Sequence, residues 1–214
     1  MEVQAILFDL DGTLVDSIPL YKQAYFQTLS VFGLVLSEQE FNKIFWENHK
    51  LTNVLMRFNL SHRDAEIRKY RDDLYTKTLS EKVKWFEDAK DFADSLKNET
   101  PRAIVTGSWR SYVDAIERRI DLSPISSMIV TADDCQPYDK PHPHSLLLAA
   151  ERLGIAPEHC IYIGDQDFDI QAARSANMAN CLIAREHTSP QAHQNAMHVI
   201  RSLQELPALL SQMK

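Results

Sequence analysis

The sequence lacks an excess of positive charge, a long apolar run and an obvious leader. Lysine and arginine together number 23 against 30 aspartates and glutamates, which gives a net charge of −7, and no dense basic run occurs. This balance argues against nucleic acid or an anionic membrane surface as a partner. No apolar run approaches the roughly 18 residues of a membrane span, and the opening MEVQAILFD has no signal-peptide pattern. We therefore expect no membrane contact and a cytoplasmic location.

Cysteine is scarce as well. The three cysteines, Cys135, Cys160 and Cys181, are an odd number with no metal-type spacing, so we expect reduced thiols, as in cytosolic proteins. The remaining composition, 44% hydrophobic and 25% charged, is that of an ordinary globular protein. A chain of 214 residues fits either one domain with a large insertion or two modest domains.

Short runs rich in Ile, Val and Leu predict strands that are buried on both faces. They lie at residues 3–8, 102–106, 127–132, 160–164 and 180–184. Helical patterns separate the later runs, at residues 109–120, 142–154 and 168–176. This alternation predicts an α/β fold, with a parallel sheet and right-handed crossovers.

Residues 18–85 interrupt the alternation with mainly helical patterns and no clear strand. This interval is too long for a crossover, which usually has one helix and loops of roughly two to six residues. We predict a helical cap subdomain at residues 17–85, inserted into an α/β core made of residues 1–16 and 86–214. Within the cap, a stripe at helical spacing is predicted to be core and not a substrate platform: Tyr21, Tyr25, Phe26, Leu29 and Phe32.

The first predicted strand leads directly into a cluster of carboxylates. Asp9 and Asp11 follow it in the segment DLDGT, and Asp16 is placed to cap the next helix. Ligands of an open parallel sheet bind beyond the carboxyl ends of its strands. Because Thr106 and Asp165 end two other predicted strands, we expect them at the same crevice as Asp9 and Asp11.

Adjacent carboxylates raise one another's pKa values unless a positive group lies between them. Lys140 and a divalent cation are the two candidates, and oxygen ligands without His or Cys favour Mg²⁺ over zinc. Such a site suits phosphoryl transfer, in which one aspartate can act as nucleophile and another as acid and base. A solvated Asp-Gly turn is the simpler interpretation of DLDGT taken alone.

Four motifs occur in order along the chain: DLDGT at 9–13, Thr106-Gly107-Ser108, Lys140-Pro141, and Gly164-Asp165 with Asp169. Together they resemble the motifs of the haloacid dehalogenase superfamily, and the resemblance covers nearly the whole chain. The predicted cap is similar to that of the branch containing phosphoglycolate phosphatase and β-phosphoglucomutase. The resemblance implies a Rossmann-like core with an inserted α-helical cap, and a phosphoric monoester hydrolase with Mg²⁺ as cofactor.

The resemblance also implies the catalytic roles. Asp9 would be the nucleophile that forms an aspartyl phosphate, and Asp11 the general acid and base. Thr106 and the backbone N–H of Gly107 would hold the phosphoryl oxygens. Lys140 would neutralise the nucleophile and the phosphate.

The implied metal ligands are Asp9, the carbonyl oxygen of Asp11, Asp165 and Asp169. For Asp169, direct or water-mediated ligation competes with a structural role at a helix start, where a carboxylate is favoured by the helix dipole. His142 and His144 are expected to be exposed helix-start residues and not metal ligands.

The cap would select the substrate, because the sheet site recognises only phosphate. Asn48, His49 and Lys50 lie in the turn between two predicted helices, where this branch tends to present a substrate loop, and Arg57 is a weaker candidate. A polar turn without such a role is the alternative for these residues.

The predicted activity is hydrolysis of small phosphate monoesters, of the phosphoglycolate, sugar phosphate or nucleotide type. The substrate partner is thus a small phosphorylated metabolite, and the protein is expected as a monomer or weak homodimer. A β-phosphoglucomutase-type mutase is the main alternative, although Thr13 and Tyr21 stand where that enzyme has valine and histidine. A 2-haloacid dehalogenase is disfavoured by Asp11, and a non-catalytic phosphate-binding regulatory module remains the alternative outside enzymes.

Overall fold

The computed structural model describes residues 2–47, 51–95 and 100–213. In these residues, six strands form one parallel sheet. They are β1 (Ala5–Phe8), β2 (Arg102–Val105), β3 (Ile129–Val130), β4 (Cys160–Gly164), β5 (Ala179–Ile183) and β6 (His198–Ile200). Their order across the sheet is β3-β2-β1-β4-β5-β6, so the first strand of the chain lies between β2 and β4.

Helices connect the strands and fill the long interval after β1. They are α1 (Ile18–Val31), α2 (Glu38–Trp46), α3 (Leu51–Arg57), α4 (Asp64–Lys82), α5 (Glu87–Ser95), α6 (Arg110–Glu117), α7 (Ala132–Cys135), α8 (His144–Leu153), α9 (Asp167–Ser175), α10 (Pro190–Asn195) and α11 (Leu206–Gln212). No helix in the described ranges combines the length and the apolar character that crossing a membrane requires.

The sheet has a hydrophobic core on each face, as expected for parallel strands covered by helices. In β1, Ile6 and Phe8 pack into one core, while Ala5 and Leu7 pack into the other. Phe8 lies opposite Ile104 on β2 and Ile163 on β4. This register aligns the carboxyl ends of β1, β2 and β4, and residues that follow these strands therefore lie close together.

Residues 18–82, here called the helical insertion, contain α1 to α4 and, where described, no strand. Their apolar faces enclose a third core that is separate from the two sheet cores, with Leu29, Phe41, Leu55 and Ile67 among its buried side chains. Helix α2 begins with a capping box, in which Ser37 and Glu40 bond each other's backbone N–H. The domain boundaries at residues 16/17 and 85/86 stay predictions.

Two local expectations were wrong. Asp16 does not cap α1: Ser17 occupies the N-cap position, while Asp16 is exposed one residue earlier. The third strand is also much shorter than residues 127–132, because Thr131 begins α7 with a capping box to Asp134. A threonine hydroxyl followed three positions later by a carboxylate favours this helix start over strand continuation.

Candidate active site

Lys140 lies at the centre of a buried group of polar side chains. Its Nζ donates to Oδ1 of Asp9 and to Oδ1 of Asp169, both at 2.6 Å, and to the hydroxyl of Tyr162 at 2.7 Å. The Tyr162 hydroxyl in turn donates to the Val105 carbonyl at 2.9 Å. Although burial opposes its charge, the carboxylates of Asp169 and Asp9 raise the pKa of Lys140. Lys140 therefore holds Asp9 and Asp169 together as a charged ammonium group.

Asp9, Asp165 and Asp169 form a buried cluster of carboxylates. Each offers an oxygen within 4.8 Å of the others. Burial raises the pKa values of Asp9 and Asp169, and the charge of Lys140 only partly opposes these rises. One ammonium group does not balance three buried carboxylates, and the donor set is all oxygen. These residues therefore fit a hard divalent cation such as Mg²⁺.

Asp165 is held by three side-chain contacts that no motif in the sequence predicts. Thr13 Oγ1 donates to its Oδ1 at 2.7 Å, while Gln166 Nε2 and His187 Nε2 each lie 2.8 Å from its Oδ2. Although burial opposes ionisation, the His187 contact and the other hydrogen bonds lower the pKa of Asp165. Of the three carboxylates, Asp165 is thus the one best stabilised as an anion.

Two glycines are required by this cluster. Gly12 has a φ of +80°, and a Cβ there would lie 2.6 Å from His187 Nε2 and 2.7 Å from Asp165 Oδ2. A Cβ on Gly164 would lie 2.5 Å from the Cβ of Asp169. Both positions therefore need glycine so that the carboxylates can approach the backbone.

The Asp11 carboxylate is held by a group of hydroxyls and is not one of the three clustered carboxylates. Ser17 Oγ donates to its Oδ1 at 2.6 Å, and Ser108 Oγ donates to its Oδ2 at 2.7 Å. Thr106 Oγ1 donates to the same Oδ2 at 3.2 Å and accepts from the Ser108 N–H at 3.0 Å. Asp11 is thus oriented by the residue before α1 and by the turn after β2.

The sheet residues open into a cavity of about 500 Å³ between the sheet and the helical insertion. Its floor includes seven of the predicted site residues: Asp9, Asp11, Thr106, Gly107, Lys140, Asp165 and Asp169. Its opposite wall is formed by helices α1, α2 and α4, with Tyr21, Tyr25, Arg68 and Arg71 among the lining residues. This volume suits a small metabolite.

Comparison with known proteins gives the family. The family model described as "Haloacid dehalogenase-like hydrolase" matches residues 6–183. The chain belongs to this family. It is 30% identical over 201 residues to a protein named phosphoglycolate phosphatase from Escherichia coli (strain K12), which covers 82% of this chain and 79% of that protein. It is 27% identical over 175 residues to one named fructose-1-phosphate phosphatase from the same strain, covering 81% and 92%.

Solved structures share the fold over nearly the whole chain. A structure described as a putative phosphoglycolate phosphatase from Lactobacillus plantarum has a TM-score of 0.84 and 26% identity, covering 98% of this chain and 100% of that one. CbbY from Rhodobacter sphaeroides with phosphate has a TM-score of 0.80 at 21% identity, covering 95% and 96%, which supports the fold alone.

These findings confirm the predicted family, the α/β fold and the class of enzyme, a hydrolase of phosphoric monoesters. The roles of the site residues stay predictions, although seven of them lie together at the cavity floor. Asn48, His49 and Lys50 lie outside the described residues. Arg57 is exposed and does not line the cavity.

The residues that form the cavity wall of this haloacid dehalogenase-like hydrolase were not predicted from the sequence. Tyr25 and Leu29 are core residues of the helical insertion, as predicted, but Tyr21 and Tyr25 also line the cavity. Arg68 and Arg71 lie in a charged stretch of α4 in which nothing distinguishes them from solvated residues. Only the packing of α4 against α1 and α6 brings these arginines to the cavity.

Proposed function

We propose that the protein is a Mg²⁺-dependent phosphatase that hydrolyses small phosphate monoesters through an aspartyl-phosphate intermediate. The observation that carries the proposal is the ammonium group of Lys140 between Asp9 and Asp169, in a buried cluster of three carboxylates. Such a group can position a nucleophilic carboxylate and neutralise an incoming phosphoryl group. The phosphatase names of the relatives support the same reaction class.

In the first step, Asp9 attacks phosphorus. Its Oδ1 accepts from Lys140, while its Oδ2 accepts no hydrogen bond from the described residues and is the oxygen available for attack. The new Asp9–phosphorus bond forms as the ester P–O bond breaks, and protonated Asp11 gives its proton to the leaving oxygen. Lys140, Thr106 and the Gly107 N–H would stabilise the charge on the transferred group.

In the second step, Asp11 takes a proton from a water molecule, which attacks phosphorus and breaks the bond to Asp9. Inorganic phosphate leaves, and Asp9 is regenerated as a carboxylate. Ser17 and Ser108 hold Asp11 through both steps, because each donates to one of its carboxylate oxygens. These two contacts fix the acid and base on the cavity side of the site.

Asp9, Asp165, Asp169 and the backbone carbonyl of Asp11 would hold Mg²⁺. The ion would supply charge that neutralises phosphate oxygens and the developing negative charge. Lys140 would keep Asp169 oriented toward the ion, while Thr13, Gln166 and His187 would do the same for Asp165.

The helical insertion would act as the cap of this phosphatase, with boundaries at residues 17 and 85. It supplies the cavity wall that faces the leaving group, and it would limit the access of bulk water during turnover. The proposed substrate is thus a small phosphorylated metabolite. The proposed oligomeric state is a monomer or weak homodimer.

The test is phosphate release from a broad panel of phosphate monoesters, with Mg²⁺ and with EDTA. We expect release that requires Mg²⁺ in the wild type and is lost in Asp9→Asn. Asp16→Asn is the matched control, because Asp16 is exposed and outside the cavity. Turnover that persists in Asp9→Asn would contradict the covalent mechanism. Isomerisation of β-glucose 1-phosphate without net release would instead indicate the mutase.

A further inference from the structure

Arg71 on α4 is a buried arginine at the wall of the cavity. Its Nε and Nη2 both donate to one oxygen of Asp72, at 2.8 and 2.6 Å. The Tyr112 hydroxyl donates to the same oxygen at 2.6 Å and so fixes Asp72. The remaining nitrogen of Arg71, Nη1, makes no hydrogen bond with the described residues, which leaves its N–H groups available for a ligand.

Tyr25 on α1 carries a second unused donor at the same wall. Its side chain is 3% exposed and its hydroxyl has no hydrogen-bond partner among the described residues, although a buried hydroxyl normally has one. Burial and the neighbouring Tyr21 raise the pKa of Tyr25, and the charges of Arg71 and Arg68 partly oppose this rise. Arg71 and Tyr25 both contact the ring of Tyr21: the Arg71 Cζ and the Tyr25 ring centroid each lie 5.9 Å from its centroid.

The donors of this wall lie apart from the carboxylates at the cavity floor. Tyrosine rings also line this cavity: Tyr75 contacts Tyr21 with ring centroids 5.2 Å apart and Tyr112 with centroids 5.0 Å apart. Arg71, Tyr25 and Asp9 nevertheless line one continuous cavity. A small molecule with its phosphoryl group at Asp9 can therefore extend its other end to Arg71.

The side chains of the cavity wall indicate which chemical group the substrate carries at the end remote from its phosphoryl group. Guanidinium N–H groups and a phenolic O–H are donors, and the guanidinium group carries a full positive charge. A planar guanidinium group whose outer nitrogen is free matches a carboxylate or a phosphate. Asp72 already pairs with Nε and Nη2 of Arg71, and an uncharged hydroxymethyl end would leave Nη1 without an anionic partner.

We propose that the substrate carries a second anionic group, a carboxylate or another phosphate, which binds Arg71 and the hydroxyl of Tyr25. This inference rests on the proposed phosphatase activity and narrows its substrate class. Arg71 and Tyr25 are thereby assigned as specificity-determining residues. Arg68, which also lines the cavity but is bound to Asp64 and Thr52, adds positive charge at the same wall.

The test compares substrates that differ only in the second group. 3-Phosphoglycerate and glycerol 3-phosphate form the carboxylate pair, and fructose 1,6-bisphosphate and fructose 1-phosphate form the phosphate pair. We expect wild-type kcat/KM to favour the anionic member of at least one pair by about tenfold or more, as for a hydrogen bond to a charged group. Whichever pair responds identifies the second group.

In Arg71→Gln, we expect the kcat/KM ratio of the anionic to the uncharged substrate of that pair to fall to about threefold or less. The loss should come mainly from a higher KM for the anionic substrate, while kcat/KM for the uncharged substrate changes little. Lys69→Gln is the control, because it removes the same charge from an exposed position of the same helix. Tyr25→Phe removes an unpartnered hydroxyl and should fold with an unchanged or raised Tm. We expect it to weaken the preference several-fold.

Three results would count against these assignments in different ways. Equal kcat/KM within both pairs, with clear turnover, would overturn the inference and leave the phosphatase in place. A preference that survives in both Arg71→Gln and Tyr25→Phe would also overturn it. No phosphate release from any of the four compounds or from the broad monoester panel would overturn the proposed phosphatase, and the inference with it.

Discussion

Replacing Gly164 by alanine is expected to disable the site without changing any of its functional groups. The backbone at Gly164 is not in the left-handed region, so the change introduces a contact and not backbone strain. The new Cβ would lie 2.5 Å from Asp169 Cβ, 2.6 Å from its Cγ and 2.7 Å from its Oδ2. Because carbon atoms pack at about 3.5 Å, Asp169 must move by roughly 1 Å.

Asp169 cannot make this movement and keep its contacts. Its Oδ1 is 2.6 Å from Lys140 Nζ, and its Oδ2 accepts from the Gln166 N–H at 3.0 Å. A shift of about 1 Å takes at least one of these contacts to about 3.6 Å or beyond, outside hydrogen-bond range. Overpacking and the lost contact should lower the free energy of unfolding by about 2–4 kcal/mol. At this chain length that corresponds to a Tm lower by about 5–15 °C.

The assay combines thermal unfolding, with and without Mg²⁺, and phosphate release. We expect Gly164→Ala to lose about 100-fold in kcat/KM and most of the thermal response to Mg²⁺. Gly33→Ala is the control, because Gly33 has a φ of +77° and no atom near its Cβ position, so it loses about 1–2 kcal/mol through backbone strain alone. Wild-type turnover in Gly164→Ala would refute the idea that this glycine positions Asp169.

Three further predictions concern charge, packing and orientation. Because burial raises the pKa of Asp9, the folded protein binds the carboxyl proton of Asp9 more tightly than the unfolded chain does, and the metal-free free energy of unfolding should fall from about pH 4 toward pH 7. Asp9→Asn should flatten that fall and raise the Tm measured in EDTA. A lower Tm would contradict this prediction. Leu55→Ala, in the core of the helical insertion, should cost about 2–5 kcal/mol in urea unfolding, and a cost below 1 kcal/mol would refute the packing. Tyr162→Phe removes an acceptor of Lys140 and should cost about 1.5–3 kcal/mol and lower kcat, with unchanged kcat as the contrary result.

The sheet was the most predictable part of the fold. The run CIYIG predicts residues 160–164, and β4 has these bounds because every residue in it is apolar or small and buried on both faces. The meeting of Asp9, Thr106 and Asp165 also follows from sequence, since each comes directly after a strand of one parallel sheet. Local sequence patterns are enough to predict which residues meet at a site when those residues lie at the ends of strands that the sheet brings together.

The cavity wall could not be predicted in the same way. Arg71 is one of many charged residues of α4, and its burial depends on Tyr112 and Asp72 in the assembled protein. His187 lies in a polar loop after β5, where no pattern indicates that its ring reaches Asp165. Such contacts arise from tertiary packing, which neither hydrophobic periodicity nor a short motif reports.

The central place of β1 in the sheet has a consequence for the order of folding. Ile6 of β1 lies opposite Arg102, and Ala5 lies opposite Cys160, so both neighbours of the first strand come much later in the chain. During synthesis, β1 must remain unpaired until β2 and β4 have been made. The helical insertion has its own core and can fold before that. A folded insertion shortens the flexible chain between β1 and β2, which lowers the entropy cost of pairing these two strands. We infer that the carboxylate cluster assembles only when β4 joins the sheet, so that the nascent chain has no complete site until synthesis has passed Asp169.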